Sequence, residues 1–246
     1  MTTTTEVVEL EAKKDGAAAV DRALTIVATL EANAAAMTLA ELARQTGMYK
    51  STLLRLIASL ERATLVVRRS DQKYALGPFA FRLGRAFEAT HHLERYITPV
   101  MQQLVDVGTE SPSFHVWHDE TTRLCLLRLD SHHSTLDRLH SGDLLPIDRG
   151  GPGKVLRAFR AAPNGTADVP LIHTSFGERD PACASMSVPV FGAGGALVGA
   201  LSVSGPRERF SSDALEKMTP PLRDAAAQAT RALGGVWPER SLVRAA

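Results

Sequence analysis

Residues 38 to 62, TLAELARQTGMYKSTLLRLIASLER, constrain the fold more than any other stretch, because two helix signals meet across one glycine. Thr38 precedes Glu41 by three residues, the capping-box spacing in which hydroxyl and carboxylate satisfy each other's orphan backbone donors. Gly47 follows, a residue able to take the left-handed geometry that ends a helix and turns the chain. Beyond it, a helix over 49–62 points Leu53, Leu56, Ile57 and Leu60 inward and leaves Ser51, Arg55, Ala58 and Arg62 on the opposite stripe. That outer stripe is small or basic, as a helix entering a DNA major groove requires, since bulk blocks approach and acids repel phosphate. The spacing of Ala43, Gly47 and Leu53 fits helix-turn-helix geometry, with three core helices carrying a solvated basic side as the alternative.

The flanks fit the same reading. Residues 17–32 set Val20, Leu24, Val27 and Leu30 at helical spacing, which predicts an amphipathic first helix with those residues inside. LVVRRSDQKYAL alternates into two short runs around Ser70–Asp71–Gln72, predicting a hairpin that carries Arg68, Arg69 and Lys73. From Arg44 to Arg85 nine basic residues face two acidic ones, an excess of seven in a chain of net charge +1. Regional asymmetry of this kind marks a nucleic-acid face. Lys50, Ser51, Thr52, Leu54 and Arg55 on the second helix, with Arg68, Arg69 and Lys73 on the hairpin, are the candidate DNA contacts; Leu54 suits a thymine methyl.

At 246 residues the chain suits two domains. The N-terminal MTTTTEVVELEAKKDG lacks the apolar run of a signal peptide, and no stretch reaches the roughly 18 apolar residues of a membrane span, so a cytoplasmic protein without a membrane partner is expected. Cys125 and Cys183 lack CxxC spacing and read as free, buried thiols. His91–His92 and His132–His133 have no ligand-spaced cysteines or carboxylates and read as solvated rather than metal-binding.

The stretch from Ala19 to Pro78, AVDRALTIVATLEANAAAMTLAELARQTGMYKSTLLRLIASLERATLVVRRSDQKYALGP, resembles the N-terminal domain of the isocitrate lyase regulator (IclR) family of bacterial transcription regulators, and the likeness continues to about residue 236. The resemblance implies an α+β chain with a winged helix-turn-helix domain over 17–77, a linker helix over 78–92 and a GAF-like effector-binding domain over 93–236. The segments 1–16 and 237–246 are read as a disordered tail and a frayed C-terminal tail. It further implies a homodimer or homotetramer on a palindromic double-stranded operator.

The second domain reads as a helix around Thr98–Val107, with Pro99 in its first turn, and then strand runs. The later runs include SMSVPVF and ALVGALSVSGP around a turn at Gly192–Gly195. LLPIDRGGPGKVLRAF reads as a loop entering a helix, whose glycines let backbone amides converge on an anion without a dedicated arginine. It is not an NTPase phosphate loop: Asp148 stands where glycine is required and Val155 where serine or threonine would hold magnesium. By resemblance this loop and two strands line a pocket for a small organic or aromatic acid, formed by Leu145, Gly151, Pro152, Gly153, Ser185, Ser202 and Ser204. Ser185 falls where many family members carry cysteine. Asp148 and Gly151 replace the family's usual histidine and alanine, and 160–180 is shorter than usual at the pocket's outer wall. In the C-terminal helix, Pro220–Pro221 predicts a break or restart.

No cofactor is expected. Two further functions are weighed against ligand-responsive regulation. A hydrolase would use His115, His118 or His173 with a serine, but there is no GxSxG, no HExxH and no acid placed to orient a base. A sensor acting through protein partners would leave the basic excess without a role.

Overall fold

The computed structural model describes residues 17–90, 93–160 and 169–238. The expected tail at 1–16, residues 239–246 of the expected 237–246 tail, the His91–His92 pair and residues 161–168 of the shortened 160–180 stretch therefore lie outside the described residues. The chain divides into two compact units, Met1–His91 and His92–Ala246.

In the first unit, α1 (Ala18–Asn33), α2 (Leu39–Thr46) and α3 (Lys50–Arg62) precede a hairpin of β1 (Val66–Arg68) and β2 (Tyr74–Leu76), and α4 (Pro78–Thr90) follows. The capping box is formed: the Glu41 amide donates to Thr38 Oγ1 at 3.2 Å, and the Thr38 amide donates to Glu41 Oε2 at 2.7 Å. Gly47 closes α2 at φ 68°. Leu53, Leu56, Ile57 and Leu60 of α3 lie in the core with Leu42, Val66 and Tyr74. The α1 expectation needs correction. Val20 and Leu24 are more than half exposed, whereas Ile26 and Leu30 are buried, with Ala23 and Val27 packed beside them. Both stripes have helical spacing; packing against α2 and α3 selects the one rotated toward Ile26. Met37 adds a backbone bridge to Tyr74, with N–H···O distances of 2.8 and 2.7 Å, which ties the α1–α2 connection to the hairpin.

The second unit is a six-stranded antiparallel sheet in the order β5-β4-β3-β8-β7-β6. Its strands are β3 (Ser111–Trp117), β4 (Thr122–Arg128), β5 (Leu144–Pro146), β6 (His173–Phe176), β7 (Cys183–Phe191) and β8 (Leu197–Pro206). α5 (Leu93–Asp106) and α7 (Ser212–Ala232) share one core with Met186, Val188, Val190, Leu201 and Val203. α6 (Gly150–Arg160) shares another with Ile147, Phe191 and Ala200. Trp237, assigned from sequence to the tail, packs on both.

Two proline expectations are corrected. Pro99 lies inside α5, which begins five residues earlier than expected, and Ile97, Val100 and Met101 bury the turns around it. α7 runs unbroken through Pro220 and Pro221. The carbonyls that lose their partners belong to Glu216 and Lys217, on an exposed turn where water can serve them, while buried Met218 and Leu222 hold the helix to the sheet.

Candidate functional site

The first unit carries a basic face. Lys50, Ser51 and Arg55 are exposed, Leu54 is 48% exposed, and Thr52 is half-buried in the first turn of α3. The N-cap residue Tyr49 makes no side-chain cap and is 85% exposed, an aromatic neighbour of this face that helix periodicity alone did not select. On the hairpin, Arg68 and Arg69 are exposed and Lys73 is half-buried. The Arg68 guanidinium lies 5.7 Å from the Tyr74 ring centroid, and Arg69 reaches Asp71 only at 3.7 Å with both side chains in solvent, a pair of little strength.

In the second unit a small cavity, partly open to solvent, lies between the sheet and the start of α6. Its polar floor follows from strand alternation and register. Ser185 and Ser187 alternate with core-facing Met186 on β7, and Ser202 and Ser204 alternate with Val203 on β8. Pairing places Ser187 beside Ser202, Ser185 beside Ser204, and Ser113 of β3 beside Ser202. Ser187 Oγ donates to Ser202 Oγ at 2.8 Å, which donates to the Met186 carbonyl at 3.2 Å.

Leu145, Pro152, Ser185, Ser202 and Ser204 border the cavity. Gly151 sits just behind: its amide donates to Ser185 Oγ at 3.2 Å, and a Cβ there would lie 2.5 Å from Ser187 Oγ. Gly153 faces elsewhere, against the Ile147 carbonyl, where a Cβ would come within 2.4 Å, so it serves loop-to-helix packing.

The anion reading of the loop is also corrected. The Gly150 amide is taken by Glu178 Oε2 at 3.1 Å, so the start of α6 already holds a carboxylate. Burial pushes the Glu178 carboxyl up, but its hydrogen bonds from the Lys154 ammonium and this amide hold it below the usual range.

The charged groups come instead from β4 and the β6–β7 turn. Arg123, 2% exposed, borders the cavity and donates through one nitrogen to the Pro146 and Arg149 carbonyls, while its Nε has no partner. Among the described residues it makes no ion pair, and burial, with help from nearby Arg179, lowers it to about 10. His115, 1% exposed, shares a hydrogen bond between Nε2 and Ser113 Oγ at 3.0 Å; its Nδ1 is buried without a partner. Burial first, then Arg123, Arg128 and Arg179, push its pKa well below 6.5, so the ring is neutral at pH 7. Arg179 also borders the cavity. Sequence spacing did not bring these groups together, because β3, β4 and the β6–β7 turn contribute them from different parts of the sheet. The cavity thus carries two arginines, Arg123 and Arg179, that the reading of the loop did not include.

Cys125 is a buried free thiol raised to about 12 by burial, and Cys183, also free, is only half-buried and borders the cavity. His133 is not simply solvated: its Nε2 lies 3.5 Å from Glu110. Among the described residues no group of three or more His, Cys, Asp or Glu side chains could hold a metal, and no helix is long and apolar enough to cross a membrane.

The IclR helix-turn-helix domain matches residues 19–70, and the bacterial transcriptional regulator IclR C-terminal domain matches residues 174–231. The chain belongs to the IclR family. Among relatives of this IclR regulator, the HTH-type transcriptional regulator BhcR of Paracoccus denitrificans is 28% identical, covering 92% of this chain and 89% of that protein. A solved IclR-type structure from Silicibacter sp. TM1040 has the same fold at 24% identity and a TM-score of 0.74, covering 90% of this chain and 98% of that one. An IclR homologue from Microbacterium hydrocarbonoxydans, solved with 4-hydroxybenzoate, matches at 20% identity and a TM-score of 0.74 over 88% of this chain and 99% of that one. The matched families and curated relatives are transcriptional regulators rather than enzymes, which removes the hydrolase alternative.

Proposed function

We propose that this IclR regulator binds a palindromic operator through α3 and the β1–β2 wing, and senses a small organic or aromatic acid in the cavity of its second unit, in the cytoplasm. Residues 17–77 form the reading head, 78–92 the linker and 93–236 the sensor. Lys50, Ser51, Thr52, Leu54 and Arg55 address the major groove; Arg68, Arg69 and Lys73 follow the phosphate backbone. The observation that carries the sensing half is Arg123: a buried guanidinium with, among the described residues, no carboxylate partner and no partner for its Nε is costly to keep unless an anion completes it. Neutral His115 and the serine floor supply further hydrogen bonds. The 4-hydroxybenzoate bound by the Microbacterium homologue supports an aromatic acid as one candidate. Exposed Val20 and Leu24 on α1, with Phe81 and Leu83 on α4, support assembly as a homodimer or homotetramer.

The test is retardation of the promoter fragment next to its own gene, at rising salt and with carboxylic acids added. Salt-sensitive retardation altered by at least one acid is expected; no retardation of any such fragment would overturn the DNA half. Thermal shift against acids tests the sensing half, since a ligand selective for the folded state raises Tm.

A further inference from the structure

Residues 129–143, between β4 and β5, contain neither helix nor strand, and polar contacts fasten them to the body of the second unit. The Ser131 amide donates to Ser111 Oγ at 3.0 Å. The Thr135 carbonyl accepts from Arg209 at 2.7 Å, and that arginine grips Glu110 with two nitrogens. Leu139, buried, forms part of the cavity wall. The tightest fastening is Asp137. Its carboxylate is wholly buried, ion-paired to Arg128, within 3.3 Å of Arg179, and accepts from Ser204 Oγ at 2.9 Å.

Arg179 and Ser204 also border the cavity. The groups that hold Asp137 are therefore groups that an acidic ligand meets. We infer that Asp137 is an internal competitor for the effector: a tethered carboxylate that an acid must displace from Arg179 and Ser204, releasing the 129–143 strap and Leu139 from the cavity wall. This inference rests on the acid-sensing reading above. Two carboxylates cannot share Arg179 in a buried site without strong repulsion, and a buried carboxylate stripped of partners does not stay buried. In the middle of the strap only Leu136, half-buried, and Leu139 add apolar anchorage, so polar latching dominates its closure. Asp137 thereby sets selectivity: it weakens acids, leaves uncharged analogues unaffected, and couples acid binding to strap movement.

The experiment uses the full chain and its Asp137→Asn variant, with acetate, benzoate and 4-hydroxybenzoate as probes, each beside its amide. Calorimetry reads affinity and hydrogen exchange reads residues 129–143. Expected are acid affinity rising on the order of tenfold in D137N with amide affinity unchanged, and faster strap exchange in the parent protein with acid but not amide. Unchanged or weaker acid binding by folded D137N, or an acid that binds without altering strap exchange, overturns the inference while leaving acid sensing intact. If D137N does not fold, the exchange measurement on the parent protein decides alone. Failure of every acid to bind both proteins overturns the acid-sensing reading and this inference with it.

Discussion

Burial beside three guanidinium groups keeps the His115 ring neutral, and that state has a consequence for stability. Its folded pKa lies well below the 6.5 of the unfolded chain, so above pH 6.5 neither state takes a proton there and its contribution is fully present. As pH falls below 6.5 the unfolded chain binds a proton that the folded one refuses, and stability is lost at up to about 1.4 kcal/mol per pH unit for each such group. His173, also lowered by burial, acts in the same direction. The lowered carboxylates, Asp119 at about 2 among them, hold their charge to lower pH and separate from this window. Denaturant unfolding followed by tryptophan emission isolates the effect, because Trp117 and Trp237 both belong to the second unit. Between pH 7 and pH 5 the parent protein should lose stability steadily, and His115→Asn should roughly halve that slope; an unchanged slope would show that the ring titrates normally. Residue roles of this sort were only half legible in the sequence. The pocket serines and Leu145 could be placed at the cavity by resemblance, whereas His115 and Arg123 required the β3–β4–β8 register and Arg179 the position of the β6–β7 turn, neither of which local spacing encodes.

Elements were more legible where punctuation is local. Thr38, Glu41 and Gly47 bounded α2 and opened the turn to α3, because a capping box and a left-handed glycine act within a few residues. Proline was misleading where tertiary packing overrides propensity, as in α5 and α7. Since α7 forms with both prolines in place, replacing them restores backbone donors to the Glu216 and Lys217 carbonyls. A mid-helix proline costs about 3 kcal/mol, partly offset by about 1 kcal/mol from restricting the unfolded chain. Pro220→Ala and Pro221→Ala should therefore each stabilise the second unit by about 1–2 kcal/mol, read as a higher denaturation midpoint at unchanged m-value. A lower midpoint would mean that the rings themselves pack usefully. The thresholdless choice between two helical stripes on α1 shows the converse limit: Val20 and Leu24 satisfy the same period as Ala23, Ile26 and Leu30, and only neighbours decide.

Across the whole molecule, charge is partitioned: the excess of seven in 44–85 against a net +1 leaves the remainder six charges negative. Such a chain is drawn to DNA by one region and repelled by the rest, which orients the encounter and suppresses indiscriminate adhesion. Each phosphate contact removed should lower the slope of log affinity against log salt by about 0.9, equally on all duplexes. Arg69→Gln is expected to do this, while Leu54→Ala should relax base preference more than it weakens binding; equal losses for Leu54→Ala on operator and unrelated DNA would remove it from the base-reading set. Sensing and DNA binding are then joined by linkage, whatever path carries it. If an acid changes operator affinity by some factor, the operator must change acid affinity by the same factor, since both describe one coupling free energy. Calorimetric titration of the acid into free and operator-bound protein should give Kd values whose ratio equals the acid-induced ratio of operator Kd values. A clear mismatch at equilibrium would mean that the acid reports on a second site or on assembly instead of on the cavity bordered by Arg123 and Arg179.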